Sequence, residues 1–283
     1  MSLMRFGLDI GQQRLEFDEV VDRTRFAETL GFDGAWGFDH FVPMYGEGPG
    51  NCFEGMTTLA ALALATTRIR LFLLVAGVTY RHPSLLAAQA MTVDHASHGR
   101  LELAMGAAWY EPEHRQLGRE FPSTGVRFDW LEDQLEIFKR LFTGDVVSYQ
   151  GHRLNLENAM RPVPVQRPHP PIWIGGSGRR RTLPLVARYA DVWHSGPGPE
   201  YADLSAEVDR QCQAIGRDPG CILRASSLSL SPDSFDEIEP NLQRLQELGV
   251  GYVTCGWPGQ GRPRIEEFAT RIMPRFASGA APG

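Results

Sequence analysis

The chain has 283 residues, of which 42% are hydrophobic and 22% are charged, and its formal net charge is −6. This is the composition of an ordinary globular protein, long enough for one large domain or two of average size. Because a broad nucleic-acid interface needs a basic surface, the acidic balance disfavours a nucleic-acid-binding protein.

Local composition disfavours three further classes. The 4 cysteines show no C-x-x-C pair and no zinc spacing, which favours free thiols in a reducing cytosol. Residues 1–11 are interrupted by Asp9, unlike a secretory signal, and the longest apolar stretch, Leu71 to Val78, is too short to cross a bilayer. His95 and His98 lie at a predicted helix end without further ligand spacing, so we predict no metal site. We expect a cytoplasmic protein.

Short apolar runs predict eight buried strands. They are Arg5–Ile10, Gly34–Phe38, Ile69–Val78, Leu101–Ala107, Ile172–Gly175, Asp191–His194, Ile222–Leu230 and Val250–Cys255. Segments with helical spacing lie between them. They are Phe17–Leu30, Thr57–Ala65, Ser84–His95, Phe128–Phe142, Thr182–Ala190, Phe235–Leu248 and Ile265–Phe276.

This alternation predicts an α/β fold, a (β/α)8 barrel (TIM barrel), because a doubly wound open sheet usually has fewer strands or more residues. We assign residues 1–276 to one barrel domain and 277–283 to a flexible tail. Three connections are long: His40–Gly55, Ala108–Arg127 and Asp145–Pro170, the last containing a predicted hairpin at Val146–Leu156. The first two leave the carboxyl ends of strands, where barrel active sites lie.

The most informative segment follows the fifth predicted strand. Gly175, Gly176, Ser177 and Gly178 precede a helix, and Arg179 opens a run of three arginines. Outward-facing N–H groups and a helix N-terminus predict an anion cradle, most often for phosphate, while a tight turn that needs glycine explains the residues equally well. The pattern is neither a Rossmann fingerprint, a P-loop nor a hydrolase elbow.

Other strand ends carry polar and aromatic residues. His40 suits proton transfer near neutral pH, although a loop histidine tied to Asp39 or to the backbone explains it as well. The small residues Gly106 and Ala107 admit a flat ligand beside Trp109, which lid packing also explains. Packing and helix capping explain Thr79, Arg81 and His82 as well as ligand contact does. Carboxylates near strand ends leave a glycosidase open without singling out a pair. They are Asp39, Glu111, Glu113 and Asp191.

Taken together, several segments resemble the bacterial luciferase-like monooxygenase superfamily, and more closely its deazaflavin-dependent branch. The resemblance runs through Leu30–Gly34, Asp39–His40, Thr66–Leu71, Tyr80–Pro83, Gly99–Glu102, Pro164–Gly176 and Ala187–Asp191. It implies a (β/α)8 barrel, a homodimer, and coenzyme F420 as cofactor, with FMN as the alternative.

The resemblance also implies site residues. His40 lies near the ring and assists proton transfer, and a non-proline cis peptide bond is expected near Leu74–Val75. The implied cofactor contacts are Asp39, Leu74, Val75, Ala76, Gly106, Ala107, Trp109, Gly175, Gly176, Ser177, Gly178 and Arg179.

The chain departs from the pattern after the fourth strand. A family G-x-G-x-G motif reads Ala104, Gly106 and Ala108 here, and Trp109 stands where sugar-phosphate dehydrogenase relatives have a catalytic carboxylate. A sugar phosphate is therefore disfavoured as substrate, and Glu113 is the candidate replacement for the acid.

We expect hydride transfer between deazaflavin C5 and a small organic substrate, with His40 carrying the proton. The alternatives are an FMN-dependent two-component monooxygenase and a non-catalytic cofactor-binding homologue. Aromatic residues predicted at the mouth favour an apolar or planar substrate. They are Phe38, Phe41, Tyr45, Phe53, Trp109, Tyr110, Trp193 and Trp257.

Overall fold

The computed structural model describes residues 3–160, 163–232 and 235–277. The strands are β1 Arg5–Asp9, β2 Gly34–Gly37, β3 Arg70–Leu73, β4 Ala76–Gly77, β5 Leu103–Gly106, β6 Val147–Gln150, β7 Asn155–Ala159, β8 Ile172–Gly175, β9 Val192–His194, β10 Leu223–Leu228 and β11 Tyr252–Cys255. The α-helices are α1 Phe17–Thr29, α2 Gly55–Ala65, α3 Pro83–Ala96, α4 Glu111–Gln116, α5 Thr124–Leu141, α6 Thr182–Tyr189, α7 Tyr201–Ala214, α8 Phe235–Glu247, α9 Arg262–Arg271 and α10 Met273–Phe276.

Nine strands form one parallel sheet in the order β3-β2-β1-β11-β10-β9-β8-β5-β4. Because β4 continues the course of β3, and Leu71 of β3 also pairs with Leu101 ahead of β5, the sheet closes on itself. The predicted (β/α)8 barrel is therefore confirmed. The single strand predicted over Ile69–Val78 is wrong, because the chain bends after Leu73 and resumes pairing at Ala76. The Leu74–Val75 peptide bond at that bend is cis, as expected.

Aromatic side chains fill the middle of the barrel. Phe72 stacks on Trp173 with ring centres 4.9 Å apart, and Tyr252 meets Trp173 edge-on at 4.9 Å. A Cβ atom at Gly7 would lie 2.9 Å from the Tyr252 hydroxyl, and one at Gly34 would lie closer still. Glycine on β1 and β2 thus makes room for the Tyr252 ring, and the barrel is a packed core rather than a pore.

Several boundaries differ from those predicted. Helix α7 was not predicted, although its buried residues Tyr201, Leu204 and Val208 have helical spacing. Helix α4 forms within the long connection 108–127, and the predicted last helix divides at Ile272.

The predicted hairpin exists as β6 and β7. It is fastened to α5 by the buried carboxylate of Asp133, which accepts hydrogen bonds from Tyr149 Oη at 2.9 Å and from the backbone N–H of Arg153 at 2.7 Å. Of the predicted tail, Ala277 pairs with Met4, and residues 278–283 lie outside the described residues. Within the described ranges, no helix has both the length and the hydropathy needed to span a membrane.

Candidate active site

A cleft of about 570 Å³ opens at the carboxyl ends of the barrel strands. Most of the predicted site residues line it: Asp39, His40, Leu74, Val75, Gly106, Ala107, Trp109, Gly175 and Gly176. Ala76 and Glu113 lie behind the wall, and Ser177, Gly178 and Arg179 continue from its rim. Among the aromatics expected at the mouth, Phe38, Tyr45 and Trp109 line the cleft, whereas Trp193 is buried and donates its Nε1–H to the carbonyl of Gly176.

Two glycines on neighbouring strands give one face of the cleft its shape. A Cβ atom at Gly106 would lie 2.5 Å from Cγ2 of Val75, and one at Gly175 would lie 3.3 Å from Cγ1 of the same side chain. Val75 therefore fits between β5 and β8 only because these positions lack side chains. The result is a smooth apolar surface at the cleft floor.

Ala108 adopts a backbone conformation that favours glycine. Its φ is +58°, in the left-handed region, and its carbonyl accepts a 3.1 Å hydrogen bond from Nη1 of Arg127. Alanine therefore retains the turn that glycine provides in the pattern this chain resembles, at a cost of roughly 1 kcal/mol.

His40 is oriented by a buried carboxylate. Its Nδ1 lies 2.9 Å from Oε2 of Glu113, whose side chain is 0% exposed. The other carboxylate oxygen accepts the backbone N–H groups of Phe41 at 2.5 Å and Val42 at 3.1 Å, and the Tyr80 hydroxyl also donates to Glu113. An ionised Glu113 fixes the tautomer with hydrogen on Nδ1, which leaves Nε2 of His40 for a ligand in the cleft.

Glu113 stays ionised despite its burial. Burial alone would raise the pKa of this carboxyl, but the hydrogen bonds from His40, Tyr80 and the Phe41 backbone hold the pKa below its usual range. Burial and the neighbouring Glu113 carboxylate together raise the pKa of the Tyr80 hydroxyl, so it remains a donor. Glu113 thus supplies a fixed negative charge behind His40.

The carboxylate of Asp39 is committed to the protein. Arg81 donates to both of its oxygens, at 2.6 and 2.7 Å, and the backbone N–H of Gly77 donates at 2.9 Å. Arg81 also pairs with Glu54, whose carboxylate caps the N-terminus of α2. His82 caps α3 by accepting the Ser84 N–H at 3.2 Å. These contacts favour the packing and capping interpretation of Arg81 and His82.

The glycine-rich loop after β8 has features of a tight turn and also features that an anion cradle requires. Gly176 has a φ of +123°, and its N–H donates to the carbonyl of His194 at 2.9 Å. Along the described chain, the N–H groups of Ser177, Gly178 and Arg179 have no hydrogen-bond partner. Arg181 pairs with Asp129 at 2.9 Å, whereas Arg179 is exposed. In the described residues, three N–H groups and the exposed guanidinium group of Arg179 therefore lie beside the N-terminus of α6.

Sequence reasoning missed Asp9 and His194, which both line the cleft. Burial lowers the pKa of His194 to about 4, and it raises the pKa of Asp9 to about 6 against the opposing effects of the Gly11 N–H and Arg23. His194 ends a predicted strand and Asp9 is the next-to-last residue of another, and the two-residue alternation of strand side chains would have pointed them into the barrel. Among the described residues, no group of three or more His, Cys, Asp or Glu side chains is arranged to hold a metal ion.

Comparison with known proteins identifies the family. The model of the luciferase-like monooxygenase family matches residues 1–241. The chain belongs to this family. An F420-dependent glucose-6-phosphate dehydrogenase of Microbacterium testaceum is 31% identical over 244 residues, which cover 83% of this chain and 71% of the relative.

Two further relatives show the breadth of the family. An FMNH2-dependent dimethylsulfone monooxygenase of Pseudomonas putida is 29% identical over 70% of this chain and 54% of its own length. The solved structure of an F420-dependent secondary alcohol dehydrogenase in complex with an F420-acetone adduct superposes with a TM-score of 0.87 at 17% identity, covering 98% of this chain and 100% of that one. The structural likeness confirms the luciferase-like barrel fold.

Proposed function

We propose that this family member is an F420-dependent oxidoreductase, which transfers a hydride between deazaflavin C5 and a small organic substrate. The observation that carries the proposal is the His40–Glu113 pair, held at 2.9 Å beside a flat apolar cleft floor. Such a pair supplies a proton carrier next to a surface on which a planar ring can lie. When bound, the deazaflavin would supply the two-electron chemistry.

The residues of the cleft suit a planar group with a phosphorylated tail. Val75, Gly106 and Gly175 form a surface without projecting polar side chains, and Ala107 and Trp109 extend it toward the mouth. The free N–H groups of residues 177–179, the N-terminus of α6 and the Arg179 guanidinium would hold a phosphate at the rim.

In this proposal, His40 carries the proton that accompanies hydride transfer. With Nδ1–H fixed on Glu113, Nε2 accepts a proton from a substrate hydroxyl, or returns one to a carbonyl in the reverse direction. The negative charge of Glu113 stabilises the imidazolium that forms. Glu113 therefore acts through His40 as a positioning residue. Asp39, which precedes His40 in the chain, anchors this segment through its ion pair with Arg81.

Titration with each cofactor tests the proposal. Tight binding of coenzyme F420 without uptake of FMN would support it, and the reverse result would replace it by the FMN-dependent monooxygenase that the Pseudomonas relative favours. Turnover lost in His40→Ala, with cofactor binding retained, would exclude a non-catalytic cofactor-binding role.

We also propose that a second copy of the chain packs on α2 and α3. Helix α2 contains no charged residue, yet Leu64 is 80% exposed, and Leu85 on the adjoining α3 is 53% exposed. An apolar face of this kind is typical of a homodimer interface. Sedimentation should show a dimer that dissociates in Leu64→Glu/Leu85→Glu, and a wild-type monomer would contradict the proposal.

A further inference from the structure

The inward-facing side chains near the carboxyl ends of the barrel strands, which include the cleft lining and residues beneath it, are divided by chemistry. On one side, Trp36, Leu74, Gly106 and Gly175 come from β2, the bend after β3, β5 and β8. The other side is a polar arc from the adjoining strands β9, β10, β11 and β1. Its members are His194, Ser227, Thr254 and Asp9.

Three members of the polar arc form a closed hydrogen-bonded triangle. Nε2 of His194 lies 3.0 Å from Oγ1 of Thr254 and 3.1 Å from Oγ of Ser227, and the two hydroxyl oxygens are 3.1 Å apart. The burial that lowers the pKa of His194 to about 4 keeps its imidazole neutral at neutral pH. Thr254 is fully buried, and His194 is the member of the triangle that lines the cleft, so the triangle presents a neutral imidazole there.

Asp9 supplies the only formal charge of the polar arc. Its Oδ1 accepts the Gly11 N–H at 2.8 Å, and Asp9 itself lines the cleft. The nearby cation, Arg23, is engaged by Glu19 at 2.9 Å and lies over the Trp257 ring at 4.0 Å. An anionic group entering this half of the cleft would thus meet a carboxylate and a neutral imidazole, whereas a hydroxyl group can donate a hydrogen bond to Asp9 without charge repulsion.

We propose that the polar arc is a substrate-recognition subsite that binds an uncharged hydroxyl group and excludes phosphate and carboxylate groups. The inference rests on the proposed function, because it names the substrate class of the same cleft. It places an alcohol, rather than a sugar phosphate, across the cleft from the aromatic rings around His40.

The test uses three probes with a common aromatic body: benzyl alcohol, benzoate and toluene. Their affinities for the full chain are measured by ligand-observed NMR with and without coenzyme F420, and soaked crystals locate the probes. We expect benzyl alcohol to bind at least about tenfold more tightly than benzoate, because the carboxylate is repelled by Asp9. Its hydroxyl should lie against the polar arc.

Variants separate the contributions. Asp9→Asn, which retains an oxygen for the Gly11 N–H, should bring benzoate to within about threefold of benzyl alcohol. Ser227→Ala should lower the affinity for benzyl alcohol and leave that for toluene unchanged. The matched control is Glu111→Gln, a carboxylate whose side chain is 57% exposed on α4, which should keep the wild-type preference.

Equal binding of benzoate and benzyl alcohol to the wild type, no detectable binding of benzyl alcohol, or an unchanged preference in Asp9→Asn would each overturn the inference. Because the preference is measured with and without coenzyme F420, its failure is distinct from a failure of the cofactor titration, which would overturn the proposed function alone.

Discussion

Oε2 of Glu113 lies 2.9 Å from Nδ1 of His40, although the two residues are 73 positions apart in the chain. Glu113 lies on helix α4, and His40 lies in the connection after β2. Because Glu113 lies behind the cleft wall, its effect on the reaction passes through His40.

Replacing Glu113 by glutamine should lower turnover on the order of 100-fold, since the imidazolium loses its counter-charge and His40 loses its preferred tautomer. Cofactor affinity should stay within about threefold of the wild type, because a glutamine leaves the cleft lining intact. Steady-state kinetics and a cofactor titration measure the two effects. Glu111→Gln is the control, and equal losses of turnover and cofactor affinity would indicate a purely structural role for Glu113.

Gly106→Ala should weaken cofactor binding, because the added Cβ would lie 2.5 Å from Cγ2 of Val75 and displace that side chain into the cleft. Gly175→Ala, where the corresponding distance is 3.3 Å, should have a smaller effect. Val75→Ala should restore binding to the Gly106→Ala variant. Fluorescence titrations of the single and double variants measure this coupling, and additive effects would show that the two side chains do not compete for space.

Ala108→Gly should raise the free energy of unfolding by about 0.5 kcal/mol, since glycine adopts the φ of +58° without steric cost but has a more flexible unfolded state. Ala107→Gly is the matched control next to it and should lower stability. Urea unfolding measures both. A destabilised Ala108→Gly variant would mean that contacts of the alanine methyl group outweigh the backbone conformation.

His194 should make the protein less stable in acid. Burial lowers its pKa from an ordinary 6.5 to about 4. Between these two pH values, the unfolded chain therefore binds a proton that the folded chain does not bind. The stability that depends on its neutral form is fully present above pH 6.5 and is lost as the pH falls to 4, at about 1.4 kcal/mol for each pKa unit.

His194→Gln should therefore flatten the dependence of unfolding free energy on pH between 4 and 6.5, as measured by urea unfolding at several pH values. Asp9→Asn should change the pH dependence of the unfolding free energy in the opposite direction. The pKa of Asp9 is raised from 3.8 to about 6, so its contribution is present below pH 3.8 and is lost as the pH rises through 6. Parallel curves for His194→Gln and the wild type would show that His194 is not the group that titrates.

Arg179→Glu should weaken F420 binding about tenfold or more at low ionic strength, because it reverses a charge beside the free N–H groups of residues 177–179. The loss should shrink as salt is added. Arg115→Glu, at an exposed position on α4, is the charge-matched control. Unchanged affinity in Arg179→Glu would place the phosphate elsewhere on the rim.

Local sequence patterns were enough to predict the alternation of strands and helices, and with it the barrel. Period-two and period-3.6 patterns are local, so eight strands, most helices and the hairpin at residues 147–159 were visible without tertiary information. The glycines after β8 and the position of His40 at a strand end were visible for the same reason. The interruption after Leu73 was not, because an apolar run looks the same whether or not its backbone stays extended.

Which polar groups meet depends on how distant segments pack in the folded barrel. Asp9 and His194 are 185 positions apart, and closure of the sheet through β10 and β11 brings them into one layer of the barrel. Helix α4, which sequence patterns did not predict, places Glu113 against His40 rather than in solvent. Strand register and helix placement depend on packing between distant segments, and their consequences for charge and burial follow only once those segments are in contact.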